Sequence, residues 1–298
     1  MNRRNFLISI FGIMSASKLY SLKNFTDELP AQSKLMPVIF TSHGNPFDII
    51  KSREERSFWK VLNNLGQSIK SNYDITAAVI ISAHWCTKGT YVNTALNQKQ
   101  IYDYYGFPEE YYKVKYVAKG KPDLAREIAN KNKLINPTTD WGLDHGAWPV
   151  LMHMFPEGDI PVFEISLNYY ASPQYHYNLA KELQQLRKKG VLVIGSGALI
   201  HNLKLAMQKL TKNDTSPYGW EAEYSEWLIK QLNSRNTKAF LNYETSHKLG
   251  KLASPTPDHF FPVLYTLGLM NKNDDIDIFY NEQNTHLPAF SETSFILS

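Results

Sequence analysis

The 298-residue chain predicts an α/β fold, a single domain in which a central parallel or mixed sheet is flanked by helices. Three features predict it. Short β-rich apolar runs lack strict polar alternation, stretches of helical periodicity separate them, and no Gly/Ser/Pro linker, repeat or low-complexity tract interrupts the sequence beyond residue 34. With 43% hydrophobic residues the chain can bury a substantial core, and its length is near the upper end of one domain. It divides into a leader, residues 1–34, and one folded unit, residues 35–298.

The leader opens with Arg3-Arg4-Asn5-Phe6-Leu7, a basic start to an apolar stretch over residues 6–16. That length suits a signal peptide and falls short of the roughly 20 apolar residues a membrane-spanning helix needs, so no stable membrane anchor is expected. Paired arginines followed by Phe-Leu resemble a twin-arginine signal, which engages the machinery that exports folded proteins. Ser15-Ala16-Ser17 supplies small residues for cleavage. The expected location is the periplasm, or the cytoplasm where the signal does not function.

The folded unit begins with an apolar run over residues 37–41, a buried strand that leads into His43. Phe58, Val61, Leu62, Leu65 and Ile69 then recur at helical spacing. A second strand over residues 75–82 leads into His84 in the same relation. A third strand is read over residues 160–167, followed by a helix carrying Leu179, Leu183 and Leu186 and stopped by Gly190. Residues 191–194 form a fourth strand, with Gly195-Ser196-Gly197 as the turn after it and His201 beyond. Trp220, Tyr224, Trp227, Leu228 and Leu232 mark another helix. Near the end, Thr256 can cap and Pro257 start a helix carrying His259 in its first turn and Val263, Leu264 and Leu267 on its apolar side.

Charge and cysteine content narrow the chemistry. Residues 1–26 hold four of the 32 basic residues and no acid, so the remainder carries 32 − 4 = 28 basic residues against 28 acidic ones. A neutral body gives no basic footprint for nucleic acid. The lone Cys86 excludes an internal disulfide and a cysteine-cluster metal site, and is read as a small core residue. Any metal must be held by His, Asp or Glu.

Parallel strands bring their carboxyl ends to one edge, where ligands gather in such sheets. His43, His84 and His201 follow strand ends, and His259 sits at a helix start, so these four are the candidate metal ligands. Neutral imidazole suits zinc and iron(II) alike. His145 lies in Trp141-Gly142-Leu143-Asp144-His145-Gly146-Ala147-Trp148, a glycine-flanked loop beside tryptophans, and can either move a proton or serve as a hydrogen-bonded wall residue. His153, His176, His247 and His286 lack such positions. Gly195-Ser196-Gly197 has neither the Lys-Ser/Thr of a phosphate loop nor the flanks of a nucleophile elbow. The aromatic run from Tyr102 to Pro108, with Tyr111 and Tyr112, is read as core packing or as the wall of an aromatic pocket.

Six motifs, in order, resemble the class III extradiol dioxygenases of the 4,5-DOPA group: Ser42-His43-Gly44-Asn45-Pro46, Ser82-Ala83-His84-Trp85, Gly106-Phe107-Pro108, the loop around Asp144-His145-Gly146, Ser196-Gly197 with His201-Asn202, and Pro255-Thr256-Pro257-Asp258-His259. The resemblance spans nearly everything from residue 36 to about residue 294. It implies that His43, His84 and His259 hold the metal, that His201 is a ligand or an acid/base, and that His145 handles protons. It also implies one Fe(2+) or Zn(2+) ion per subunit, with a catechol and dioxygen as substrates. Asn45 stands where the resemblance has serine, and Ala198 where it has asparagine.

The reaction so implied is ring cleavage of a DOPA-like catechol beside its hydroxyl pair, which needs a redox-active ion. Zinc has no accessible redox change, so a zinc form would instead be a hydrolase using metal-bound water. A third reading is an exported metal-binding protein without turnover.

Overall fold

The computed structural model describes residues 34–281 and 287–298. The expected leader lies outside these residues except for Lys34, and His286 lies outside them too. In chain order the described strands are β1 (Val38–Thr41), β2 (Ala77–Ser82), β3 (Cys86–Thr87), β4 (Thr90–Asn93), β5 (Ile135–Thr138), β6 (Val162–Glu164), β7 (Leu167–Asn168), β8 (Val191–Ser196), β9 (Ile276–Tyr280) and β10 (Ser294–Leu297). The longer helices are α1 (Ser57–Asn72), α2 (Pro122–Lys131), α3 (Trp148–Met154), α4 (Pro173–Glu182), α5 (Leu203–Leu210), α6 (Trp220–Asn233) and α7 (Phe261–Leu269).

The central sheet is mixed, in the order β6-β2-β8-β1-β10-β9. The four strands β6, β2, β8 and β1 run parallel, while β10 is antiparallel to both β1 and β9. Two short parallel ladders, β3 with β7 and β4 with β5, extend beyond it. Both faces of the sheet are covered, which is why its strands read as unbroken apolar runs. Val38, Phe40, Val79, Ile81 and Val193 point into one core with Leu179 of α4 and Leu264 of α7. Ile39, Ala78, Ile80, Leu192 and Ile194 point into the other with Trp59 and Leu62 of α1 and Leu151 of α3. All nine residues of α7 are buried, as expected of a helix that is apolar all round and wedged between the sheet and α4.

Register sets up the site. Thr41 pairs with Ser196, and Ser196 with Ser82, so β1, β8 and β2 end level with one another. His43 and His84, each two residues past its strand, therefore leave the sheet at the same edge as Gly197.

Several boundaries differ from the sequence reading. The third strand breaks into β6 and β7: Ile165 N still bonds Ile80 O of β2, but Ser166 N turns to Tyr91 O of β4, and the chain resumes pairing only at Leu167, with β3. Gly195 and Ser196 belong to β8 and not to a turn, since both still pair with β1 and β2. The last helix starts at Phe261, not Pro257. Pro262 has no N–H to offer the Asp258 carbonyl, so residues 257–260 form a separate turn and His259 stands just ahead of the helix.

Candidate metal centre

His43 is delivered by β1, and the chain turns sharply after it through Gly44, whose φ of +70° suits a residue without a Cβ. Asn45 then caps the short 3-10 turn Pro46–Asp48, its Oδ1 accepting from Phe47 N and its Nδ2 donating to Asp48 Oδ2. Here the departure from serine has a local use. His84 follows β2 and donates its backbone N–H to Ser82 Oγ at 3.1 Å, while the Ser82 hydroxyl donates to Asp144 Oδ1 at 2.6 Å. Asp144 also accepts from Gly146 N and Trp141 Nε1, fastening the His145 loop to the end of β2.

The His259 turn is held against β8 by close approach. A Cβ on Gly197 would stand 2.3 Å from the His259 carbonyl oxygen, and Ala198 N donates to that oxygen at 2.9 Å. His201 is fixed by its N–H to Ala253 O and lies flat on His259, with ring centroids 3.5 Å apart and planes 5° apart.

All five histidines named from the sequence converge. Donor atoms of His43, His84 and His145 lie within 4.8 Å of one another, as do those of His201, Asp258 and His259. The His259 ring is 5.4 Å from that of His43 and 5.0 Å from that of His84, which joins the two groups. The other described histidines lie elsewhere. His153 stacks on Trp59, His176 bonds Tyr265 Oη and Asn168 O, and His247 packs on Trp227.

Hydrogen bonding decides what these rings can do. The Ser196 hydroxyl donates to Gly146 O, so Ser196 Oγ accepts from His43 Nδ1 at 3.0 Å. His84 Nδ1 faces Asp103 Oδ2 at 3.2 Å, and His259 Nδ1 faces Asp258 Oδ2 at 2.5 Å. Each ring thus keeps its proton on Nδ1 and leaves Nε2 as a bare lone pair, the tautomer that a metal takes. His43 Nε2 and His84 Nε2 are only 3.2 Å apart, and two lone pairs at that distance suit a shared cation. The donor set therefore fits a nitrogen-ligated metal.

Electrostatics agree. Burial, reinforced by the neighbouring imidazoles, holds His43 well below the usual histidine range, and burial with His259 does the same to His201. Burial also lowers His259, against the pull of its Asp258 hydrogen bond. Neutral rings are the ligand form. Asp103 goes the other way from its own burial, which would raise it. Hydrogen bonds from His145 and His84 outweigh that and keep it a carboxylate. It stands 2.8 Å from His145 Nδ1 and accepts the His145 backbone N–H at 2.9 Å.

Asp103, Asp258 and Ser196 face Nδ1 of these histidines, and the sequence reading assigned none of them. Asp103 sits inside the aromatic run, and no spacing ties a loop carboxylate to histidines about 20 and 40 residues away. The run packs on the second core, with Tyr104 meeting His145 edge-on at 5.6 Å and Phe107 packing on Phe47. Cys86 donates to Ala83 O, and burial pushes its thiol up to about 12, so it is no nucleophile.

Residues 37–294 match the family described as the catalytic LigB subunit of aromatic ring-opening dioxygenase. The chain belongs to this family. Among LigB relatives, a protein named 4,5-DOPA dioxygenase extradiol from Escherichia coli (strain K12) is 32% identical over 252 residues, covering 83% of this chain and 89% of the relative. A protein of the same name from Beta vulgaris is 32% identical over 275 residues, covering 89% and 98%. A solved structure of an uncharacterized protein from Escherichia coli K12 superposes with a TM-score of 0.73 at 28% identity, covering 88% of this chain and all of that one. LigB-family membership makes a non-haem metal dioxygenase the general class, and the histidine cluster described above is where this LigB chain could hold its metal. Among the described residues no helix is long and apolar enough to cross a membrane.

Proposed function

We propose that this protein is an iron(II) extradiol dioxygenase that opens the ring of a catechol beside its hydroxyl pair and places both atoms of dioxygen in the product. The observation that carries this reading is the matched placement of three imidazoles from three separate elements. His43, His84 and His259 each turn Nδ1 to an acceptor oxygen, which favours the tautomer that leaves Nε2 for an ion. One ion per subunit follows, held by these three with His201 beside them. Iron(II), when bound, supplies the electron transfer between ring and oxygen that zinc cannot.

The remaining residues position and move protons. His145 Nε2 accepts a catechol hydroxyl proton while its Nδ1–H rests on Asp103, whose carboxylate stabilises the imidazolium that forms. Proton transfer of this kind contributes about 10² to 10⁴ in rate. The same ring then returns a proton to the ring-opened product, so the balance closes without an external acid or reductant. Tyr104 and Phe107 exclude water on that side.

Variants separate the roles. His84→Ala loses the metal, measured by elemental analysis after anaerobic iron(II) loading. His145→Ala keeps the metal and loses turnover. His201→Ala assigns its own residue, as a ligand if metal is lost and as a proton carrier if only turnover is lost. Loss of metal in His145→Ala contradicts the division of roles. The relatives' names make L-DOPA the reference substrate. For location, the Arg3-Arg4 leader supports periplasmic export by the twin-arginine route. Replacing both arginines by lysine then retains the protein in the cytoplasmic fraction, and unchanged export contradicts the assignment.

A further inference from the structure

The space at the histidines is small. The cavity bounded by His43, His201 and His259 has a volume of about 10 Å³, room for one water-sized body. An aromatic substrate that reaches this point must lie mostly outside it. A second cavity of about 380 Å³ adjoins it, sharing Asn45 and Leu287 as walls. That volume falls within the roughly 300 to 1,000 Å³ of small-molecule sites.

The chemistry of the second cavity is distinctive. Its apolar wall is Phe47, Met207, Leu210 and Leu287, and Phe47 and Met207 are 54% and 48% exposed. Large apolar side chains left in water beside a reactive centre mark a surface that gains by being covered. The charged groups there are already matched. Lys51 Nζ lies 2.7 Å from Asp48, and Asp48 also faces Arg56 at 3.3 Å. An α-amino acid group placed there would give up hydration against Met, Leu and Phe without a dedicated counter-charge.

We infer that this groove binds the ring substituent of the catechol, and that the preferred substrate carries an apolar chain para to one hydroxyl in place of the charged amino-acid side chain of L-DOPA. The inference rests on the catechol reading of the site and narrows its substrate class. It makes Met207 and Leu210 of α5 specificity-determining residues.

The test compares catechols bearing methyl, ethyl, propyl and butyl chains with L-DOPA. Binding to the metal-loaded protein is measured by calorimetry without oxygen, and kcat/KM with it. Each added methylene is expected to raise affinity and kcat/KM by roughly twofold to fourfold, with L-DOPA below the methyl compound. Met207→Lys, at a half-exposed position that tolerates the change, flattens the series. A flat series in the wild-type protein, a preference for L-DOPA, or a series unaffected by Met207→Lys overturns the inference. Light scattering that shows a dimer dissociated by Met207→Lys also overturns it, because the groove then binds a second copy. Chain-length dependent binding without turnover of any catechol leaves the groove assignment standing and refutes the dioxygenase reading alone.

Discussion

Asp103→Asn is the most informative single change in the site. Carboxylate Oδ2 lies 3.2 Å from His84 Nδ1 and 2.8 Å from His145 Nδ1, while Oδ1 accepts the His145 backbone N–H at 2.9 Å. An amide of the same size has one acceptor oxygen and an NH₂ group that cannot accept, and because a backbone N–H cannot move its proton whereas an imidazole can, the amide oxygen takes the Oδ1 place and NH₂ faces both rings. Both rings must then turn or move their proton to Nε2, and a protonated Nε2 can neither bind a metal nor accept a proton. Losing one charge-assisted hydrogen bond costs about 2 kcal/mol, or about 30-fold. That lies within the roughly 10- to 100-fold range for removing the hydrogen-bond partner of a metal-binding histidine. Through His84, iron(II) affinity falls by about this factor, read by anaerobic competition with a chelator. Through His145, kcat at full iron loading falls by a comparable or larger factor. Asp103→Glu is expected to restore part of whichever property was lost. A folded Asp103→Asn protein with wild-type affinity and wild-type kcat refutes the tautomer argument on which the site assignment stands.

Three further outcomes follow from the packing. Burial, partly offset by the bond to Asn168 O, lowers the His176 pKa to about 4, against about 6.5 for an unfolded histidine, so the unfolded chain takes up the proton first. The stability it contributes is complete above about pH 6.5 and is lost as pH falls toward 4, about 2 kcal/mol of it by pH 5. Denaturant titrations of His176→Gln at pH 8 and pH 5 should show a correspondingly smaller loss than the wild-type chain, and equal losses would refute the assignment. Gly197→Ala, which drives a Cβ toward the His259 carbonyl, should cost about 1 to 3 kcal/mol and weaken metal binding by displacing His259. Unchanged thermal stability and metal affinity would count against the close approach. Arg187 is fully buried and meets both Asp274 carboxylate oxygens, at 2.7 and 2.9 Å, so Arg187→Met strands a buried charge and should cost about 3 to 5 kcal/mol. Pairing it with Asp274→Leu should recover much of that loss in a urea titration.

The parts of the fold visible in the sequence were those whose pattern follows from burial. β1, β2 and β8 are covered on both faces and announce themselves as Val/Ile-rich runs, and the apolar stripes of α1 and α6 repeat at helical spacing. The sheet's antiparallel edge was not read. β10 has four residues, too few to show a period, and in β9 the apolar Phe279 beside Tyr280 breaks the alternation that Ile276, Asp277 and Ile278 begin. The start of α7 was misplaced because a proline one residue into a helix and a proline ahead of it look alike until the unmade hydrogen bond is seen. The histidines were legible because strand exits are positions and positions can be counted. Asp103, Ser196 and Asp258 were not assigned, since their roles come from which ring nitrogen they face, a relation set by the closed sheet edge and absent from any local spacing.

The central claim is that the histidine cluster runs iron-dependent ring cleavage. The most direct measurement is anaerobic loading with iron(II), addition of a substituted catechol, and admission of isotopically labelled dioxygen with mass analysis of the product. The account predicts a ring-opened semialdehyde carrying both labelled oxygen atoms in the iron form and no product in the zinc form. Full iron occupancy in a folded protein with no labelled product from any catechol in the series would contradict it.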